Sequence, residues 1–304
     1  MKELIKKALP TDLWPSIRKR MIIFKHARVG RICRTMIDNY YNDKMVKYQL
    51  VAKQQDLNSD VIWQYWGQGF HTENLPEIVR LCMDSVEKYK GKHKIIRISD
   101  DNISDYIDLP DFVIRKKNDF PRAIFSDLLR VSLLKAYGGV WLDATILLTG
   151  QLPERYFKSD FFMFQRDDKE VNKDYWEKSY AYYWGWYPGF KVRVLNSVIF
   201  AQKDSEVMSF LSNVLLHLWE KKTKVPDYFF FQILFHELIN KYPDLNCPIE
   251  SDCPPHYIQQ MLSEESPLDS FKEVSTKYGI HKLTYKDNGK EFASKLRKMQ
   301  ELQD

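Results

Sequence analysis

The chain has 304 residues, 44% hydrophobic and 29% charged, with a net charge of +5, a balance typical of a soluble globular protein with a sizeable core. The charge is uneven: residues 1–36 carry ten Lys/Arg against two acids, a net +8, which leaves the rest at −3 and argues against nucleic-acid binding as the main business. Four cysteines show no CxxC pair and no Cys/His ligand spacing, so neither a zinc site nor a disulfide framework is indicated and a reducing compartment fits.

Residues 1–56 read as a basic helical extension. Leu4, Ile5, Ala8 and Leu9, then Trp14, Ile17, Met21, Ile22 and Phe24, alternate with basic residues. That pattern suits a helix on an anionic membrane surface, a charged helical appendage packed on the body, or a dimer contact. No apolar run approaches the roughly 18–20 residues that cross a bilayer, and the start lacks the apolar stretch of a secretion signal. The expectation is a cytoplasmic protein touching the inner face of the plasma membrane through residues 1–36.

From Val61 the texture changes to a strand, Val61-Ile62-Trp63-Gln64-Tyr65-Trp66. A helix from Pro76 follows, with Ile78, Val79, Cys82, Val86 and Tyr89 on one face, and then a strand from Lys94 to Ile98. Strand–helix–strand opens an α/β sheet. Next comes an amphipathic helix bearing Ser126, Asp127 and Arg130, a Tyr137-Gly138-Gly139 turn, the apolar run Val140-Trp141-Leu142 closed by Asp143, and a second run, Ile146-Leu147-Leu148. Further strands are expected at Phe161–Phe164, Val198–Ala201 and residues 280–285, helices at 205–221, 226–241 and 288–304, and loops at 167–190 and 243–271. The resulting plan is an extension (1–56), one α/β domain (57–287) and a terminal helix (288–304).

There is no GxxxxGK[ST] loop, no GxGxxG opening a helix, no HExxH and no GxSxG. What remains is Ser126-Asp127-x-x-Arg130 followed by Tyr137-Gly-Gly-x-Trp141-x-Asp143. Asp127 and Arg130 share a helix face at i, i+3. A carboxylate closing a buried strand is costly without a partner or ligand, and strand ends are where α/β sheets bind ligands. Asp143 is therefore the expected centre of an active site, with Asp127 and Arg130 on its wall.

These motifs, with Ile62–Gly67 and Asn196-Ser197, resemble the capsular polysaccharide synthesis glycosyltransferases, a branch of glycosyltransferase family 32, related to yeast mannosyltransferases and clostridial glucosylating toxins. The likeness covers roughly residues 58–285. It implies a GT-A, Rossmann-like α/β fold with a mixed sheet and retaining transfer from a nucleotide-sugar donor, expected to be UDP-linked. The acceptor would be a lipid-linked capsular or exopolysaccharide intermediate. By the same likeness Trp63 would meet the base, with Gln64 and Tyr65 in the same donor-binding strand. Asp127 and Arg130 would hold the donor sugar with Ser126 beside them in the donor site, and Asn196 would touch the donor sugar or the acceptor. Asp143 would be the first acid of an Asp-x-Asp motif that meets ribose, sugar or metal.

The second acid of that motif is Thr145 here, a weaker ligand for Mn2+ or Mg2+. Two rescues are open. By likeness to related GT-A enzymes, His281 would complete the metal shell with Asp143 while Lys282 meets the diphosphate, unless His281 is a strand-edge histidine with no ligand; or Lys282 or another cation replaces the metal. Thr145 also leaves room for a non-catalytic sugar-nucleotide-binding scaffold, and the same fold for a nucleotide-sugar hydrolase or sugar-phosphate transferase. Tyr182, Tyr183, Trp184, Trp186 and Tyr187 are candidates for an acceptor platform or for core, and His256 for an acceptor loop or a structural role.

Overall fold

The run Val61-Ile62-Trp63-Gln64-Tyr65 is buried at all five positions, which requires cover on both faces. In the computed structural model, which describes residues 13–57, 59–71, 73–263, 271–286 and 289–301, this run lies inside the central sheet. In chain order come α1 (Trp14–Tyr41), β1 (Val51–Ala52), β2 (Val61–Tyr65), α2 (Glu77–Tyr89), β3 (Lys94–Ile98), β4 (Ile107–Asp108), α3 (Asp111–Lys116), α4 (Arg122–Tyr137), β5 (Gly139–Leu142) and β6 (Ile146–Leu148). Then follow α5 (Glu154–Phe157), β7 (Phe161–Phe162), α6 (Lys173–Ser179), β8 (Val198–Ala201), α7 (Glu206–Lys221), α8 (Phe230–Lys241), α9 (Tyr257–Ser263), α10 (Phe271–Lys277), β9 (Ile280–Lys282) and α11 (Gly289–Glu301).

The five-stranded sheet has the order β3-β2-β5-β8-β7. β2 is parallel to β3 and β5, while β8 runs antiparallel to β5 and β7, so the sheet is mixed as expected. Two antiparallel pairs, β1 with β4 and β6 with β9, flank it. The α4-to-β5 turn depends on two glycines. Gly138 has φ +75° and Gly139 φ +97°, and a Cβ on Gly139 would sit 2.5 Å from the Val61 carbonyl oxygen. Only glycine combines that backbone with that approach.

The N-terminal helix is not set apart from the body. Ile22, Val29, Cys33, Met36 and Ile37 recur at helical spacing and join the main hydrophobic core, packed against α8. Arg34 and Lys191 both pair with Glu237 of α8, at 2.8 Å each, and Lys25 pairs with Asp227. The Leu4–Leu9 part of the basic pattern lies outside the described residues. The expected loops at 167–190 and 243–271 contain α6 and α9, short helices whose residues Trp176, Ile258 and Leu262 are buried by tertiary packing. Among the described residues no helix is long and apolar enough to cross a membrane.

Candidate active site

Three stretches of chain converge at the end of β5. The helix α4 turns Ser126, Asp127 and Arg130 to one side, and Arg130 is locked there. Its Nη2 donates to Ser126 Oγ (3.0 Å) and its Nη1 to the Asn196 carbonyl. Asn196 in turn donates from Nδ2 to Asp127 Oδ1 at 2.8 Å. The N–H of Asp143 donates to the Ser197 carbonyl at 2.9 Å, which ties the end of β5 to the approach to β8. The third stretch is β9. Its register sets Lys282 opposite Ile146, so the ammonium lies 2.6 Å from Thr145 Oγ1 and 3.1 Å from Asp143 Oδ2.

Both oxygens of Asp143 are therefore engaged. Oδ1 accepts from Trp141 Nε1 at 2.8 Å and lies 3.3 Å from Arg130 Nη2, and Oδ2 faces Lys282. Burial would raise this carboxyl, but Lys282 and Arg130, with hydrogen bonds from Trp141 and Ser197, hold it at about 2. Burial pushes the neighbouring Asp127 up to about 7, against the pull of Arg130 and with the push of the Asp143 charge. Two carboxyls on the same arginine are thus driven in opposite directions, one fixed as the anion and one poised near neutrality.

Because the folded value of Asp127 lies above its unfolded one, its stabilisation is complete below about pH 4 and is lost as pH rises toward 7. Asp127→Asn stays neutral throughout and can still accept from Asn196. Its melting temperature is therefore expected to gain on wild type between pH 4 and pH 7 in a thermal-melt pH series. Parallel curves would mean that Asp127 ionises normally.

A cleft with two lobes meets at this cluster. The larger, about 500 Å³, lies between Asp143 and the aromatic wall of Tyr180, Tyr183, Trp184, Tyr228 and Phe229. The smaller, about 230 Å³, is lined by Tyr65, Trp66, Gly67, Arg122 and Tyr285. Arg130, Asp143, Thr145 and Lys282 line both. The pattern of parallel strands ending at a crevice is the usual geometry for a ligand site in an open α/β sheet.

Of the residues singled out in the sequence, Asp127, Arg130, Asp143, Asn196 and Lys282 line one cleft, with Ser126 and Tyr65 on the smaller lobe. Three residues do not join them. Trp63 is fully buried, packed on Tyr106 and Tyr137, with its indole N–H donating to the Gly138 carbonyl at 3.0 Å. No face is open to a base, and the ring that lines the cleft is Trp66, edge-on to Tyr285. Gln64 is also fully buried, and its Oε1 accepts from Arg97 at 3.2 Å. His281 is the third. Successive strand residues face opposite ways, so His281 points away from Lys282 into the core, with Nε2 3.0 Å from Thr149 Oγ1. Burial lowers it to about 4 and keeps it neutral.

The residues present do not make a divalent-cation site. Asp143 is already paired with two cations, Thr145 offers a hydroxyl that accepts from Lys282, and His281 faces elsewhere. No group of three or more His, Cys, Asp or Glu suited to a metal exists among the described residues. Hard divalent ions take about six or more oxygen ligands, with one or two carboxylates the usual protein share beside waters and substrate phosphates. The carboxylate here is already shared between Arg130 and Lys282.

Sequence reasoning passed over Tyr228, Tyr285 and Arg122, isolated in the chain and joined to the site only by folding. It also passed over the clamp behind the aromatic wall. There Arg166 and Asp252, both fully buried, form a two-pronged pair with 2.9 Å contacts, and Tyr183 donates to Asp252 at 3.1 Å. His256, edge-on to Trp184 and with Nδ1 2.8 Å from the Asp252 carbonyl, lines the larger lobe and is lowered to about 4 by burial.

Compared with known proteins, residues 15–300 match the family described as "Capsular polysaccharide synthesis protein". No curated protein matches the chain. A solved structure described as "PaToxG Glycosyltransferase" aligns at 15% identity over 76% of this chain and 82% of its own, with a TM-score of 0.36.

Proposed function

The chain belongs to the capsular polysaccharide synthesis protein family, and from that premise we propose that it is a glycosyltransferase of the GT-A type, moving a sugar from a nucleoside-diphosphate donor to a capsular or exopolysaccharide intermediate. The observation that carries this reading is Asp143 held between Arg130 and Lys282 where the two lobes meet. Breaking a sugar–phosphate bond builds positive charge at the sugar carbon and negative charge on the diphosphate, and a site for it needs fixed charges of both signs. The smaller lobe, with Trp66, Tyr285 and Arg122, suits the nucleotide. The aromatic wall of the larger lobe suits a sugar acceptor, and this favours transfer over simple hydrolysis of the donor.

Among the described residues lining the cleft, the carboxylate beside Asp143 is Asp127, which hydrogen bonds to Asn196 and sits against Arg130 and so is not free to act as a nucleophile. The route proposed is therefore front-face, retaining transfer. The bond from the sugar carbon to the diphosphate oxygen breaks with its electron pair remaining on the diphosphate. The acceptor oxygen then bonds to that carbon from the same side and passes its proton to the diphosphate. Thermal-shift screening with nucleotide sugars, followed by transfer assays with the donors that bind, tests the reading. A native-state ligand raises the melting temperature; absence of any shift across the panel would remove the donor assignment.

A lipid-linked acceptor and contact with the membrane surface belong to the same proposal. Beyond Tyr180, Tyr228 and Phe229 the aromatic wall continues into a groove of about 450 Å³, lined by Arg18, Met21, Phe24 and Lys25 of α1. Phe24 is 74% exposed, a large apolar ring beside basic groups. That combination matches an apolar tail leaving a phosphate group at an anionic surface. Met21→Glu with Phe24→Glu is expected to slow transfer to a lipid-linked acceptor in anionic vesicles roughly tenfold or more, because the tail can no longer bury itself against apolar side chains. A soluble short-chain acceptor should be spared. Equal losses on both acceptors would refute the lipid path.

A further inference from the structure

The absence of a divalent-cation donor set raises the question of what neutralises the diphosphate. Around Asp143 the charges are Arg130, Lys282 and, with its carboxyl pushed toward the neutral form, Asp127. The cluster already has more positive than negative charge when Asp127 is protonated, so a dication would be drawn to it weakly. The ammonium of Lys282 is fixed by two contacts, 2.6 Å to Thr145 Oγ1 and 3.1 Å to Asp143 Oδ2, and its side chain is 23% exposed toward the cleft. The position spanned by Asp143 and the residue two along, Thr145, is thus filled by a cation belonging to the chain. Thr145 takes part in this arrangement: a hydroxyl can accept from an ammonium and orient it without adding negative charge, which a second carboxylate would do.

We propose that Lys282 is the site's resident cation, standing where a divalent ion would otherwise be held, and that it binds the diphosphate of the donor directly, so that binding and transfer need no metal. This rests on reading the donor as a nucleoside-diphosphate sugar. Lys282 keeps its protons through the reaction. Its ammonium donates hydrogen bonds to the diphosphate oxygens while the sugar–oxygen bond breaks and the electron pair stays on the leaving group. Thr145 is a positioning residue, acting through Lys282.

The experiment uses the full chain and calorimetric titration with UDP, GDP, CDP, ADP and dTDP, each in EDTA and in Mn2+, with the matching nucleosides as controls. Wild type is expected to bind at least one nucleoside diphosphate equally in EDTA and Mn2+. Lys282→Ala should weaken that binding in EDTA roughly ten- to hundredfold, the usual worth of a charge-assisted contact, and leave the nucleoside affinity unchanged. Melting curves establish that the variant is folded. Lys282→Ala combined with Thr145→Asp should regain the diphosphate in Mn2+ and lose it in EDTA, because two carboxylates then face the vacated position. Wild-type binding that requires Mn2+ would overturn the proposal and leave the donor reading intact. So would a Lys282→Ala variant that binds as wild type does. If no nucleoside diphosphate binds in either condition, the donor reading itself falls and takes the proposal with it.

Discussion

Asp143→Asn is expected to abolish transfer while leaving a folded protein. The amide can still accept from Trp141 Nε1 and from the Arg130 side, so the strand end keeps its local contacts. What disappears is the one charge that pairs Arg130 with Lys282, two cations that then face each other across the cleft. Arg130 is 5% exposed in its side chain, and losing a charged partner there costs about 1–3 kcal/mol of stability. The effect on rate is larger. Misplacing the groups that meet the developing charges lowers turnover by roughly 10²–10³-fold or more, as for loss of a single stabilising donor in other active sites. A second readout separates this from unfolding. Without the Asp143 charge pushing on it, Asp127 is expected to ionise at lower pH and to stand in as the partner of Arg130, visible as a downward move of its carboxyl titration by NMR. Near-normal turnover in a folded Asp143→Asn variant would sink the site.

Arg166→Met is expected to be the most destabilising substitution at a residue that lies outside the chemistry. Arg166 and Asp252 have fully buried side chains, joined by two 2.9 Å contacts, and the guanidinium also donates to the Tyr183 carbonyl at 3.1 Å. Its Cζ lies 4.3 Å from the Trp184 ring centre and 4.7 Å from that of Trp186. Methionine would fill much of the space but leave the Asp252 carboxylate buried without its cation. Breaking such a pair from one side costs about 3–5 kcal/mol, while replacing both partners by apolar residues costs far less. Urea denaturation should therefore show a large loss for Arg166→Met and substantial recovery when Asp252→Leu is added. A single-variant loss below about 1 kcal/mol, the range of exposed pairs, would contradict the clamp. Because Tyr183 and Trp184 line the larger lobe, the surviving activity should show a raised KM for acceptor with little change for donor.

The clamp also accounts for the aromatic stretch 180–187, where core and acceptor platform were both open readings. It is both. Tyr183 and Trp184 are buried against Arg166, yet they border the cleft, while Tyr180 is 50% exposed at its mouth. A ring can be held rigidly from behind and still present an edge to a ligand, and a linear sequence has no way to express the difference.

Local pattern was enough for the sheet strands, α2, the α4 face with Asp127 and Arg130, the glycine turn and Asp143 at a strand end. These follow from periodicity, from glycine's access to positive φ and from the cost of burying a charge, all of which act over a few residues. The choices that needed the tertiary structure turn on one residue of register or on packing between distant segments. Trp63 against Trp66 could not be separated because β2 is buried on both faces and shows no alternation. His281 against Lys282 was settled by the pairing of β9 with β6, since a shift of one residue exchanges which side chain faces the cleft. The N-terminal helix looked independent because its basic residues dominate the sequence, whereas its apolar stripe meets α8, some two hundred residues away. Sequence therefore located the carboxylate and the arginine beside it. Folding chose the cation opposite, because only the strand pairing brings Lys282 to Asp143 and Thr145.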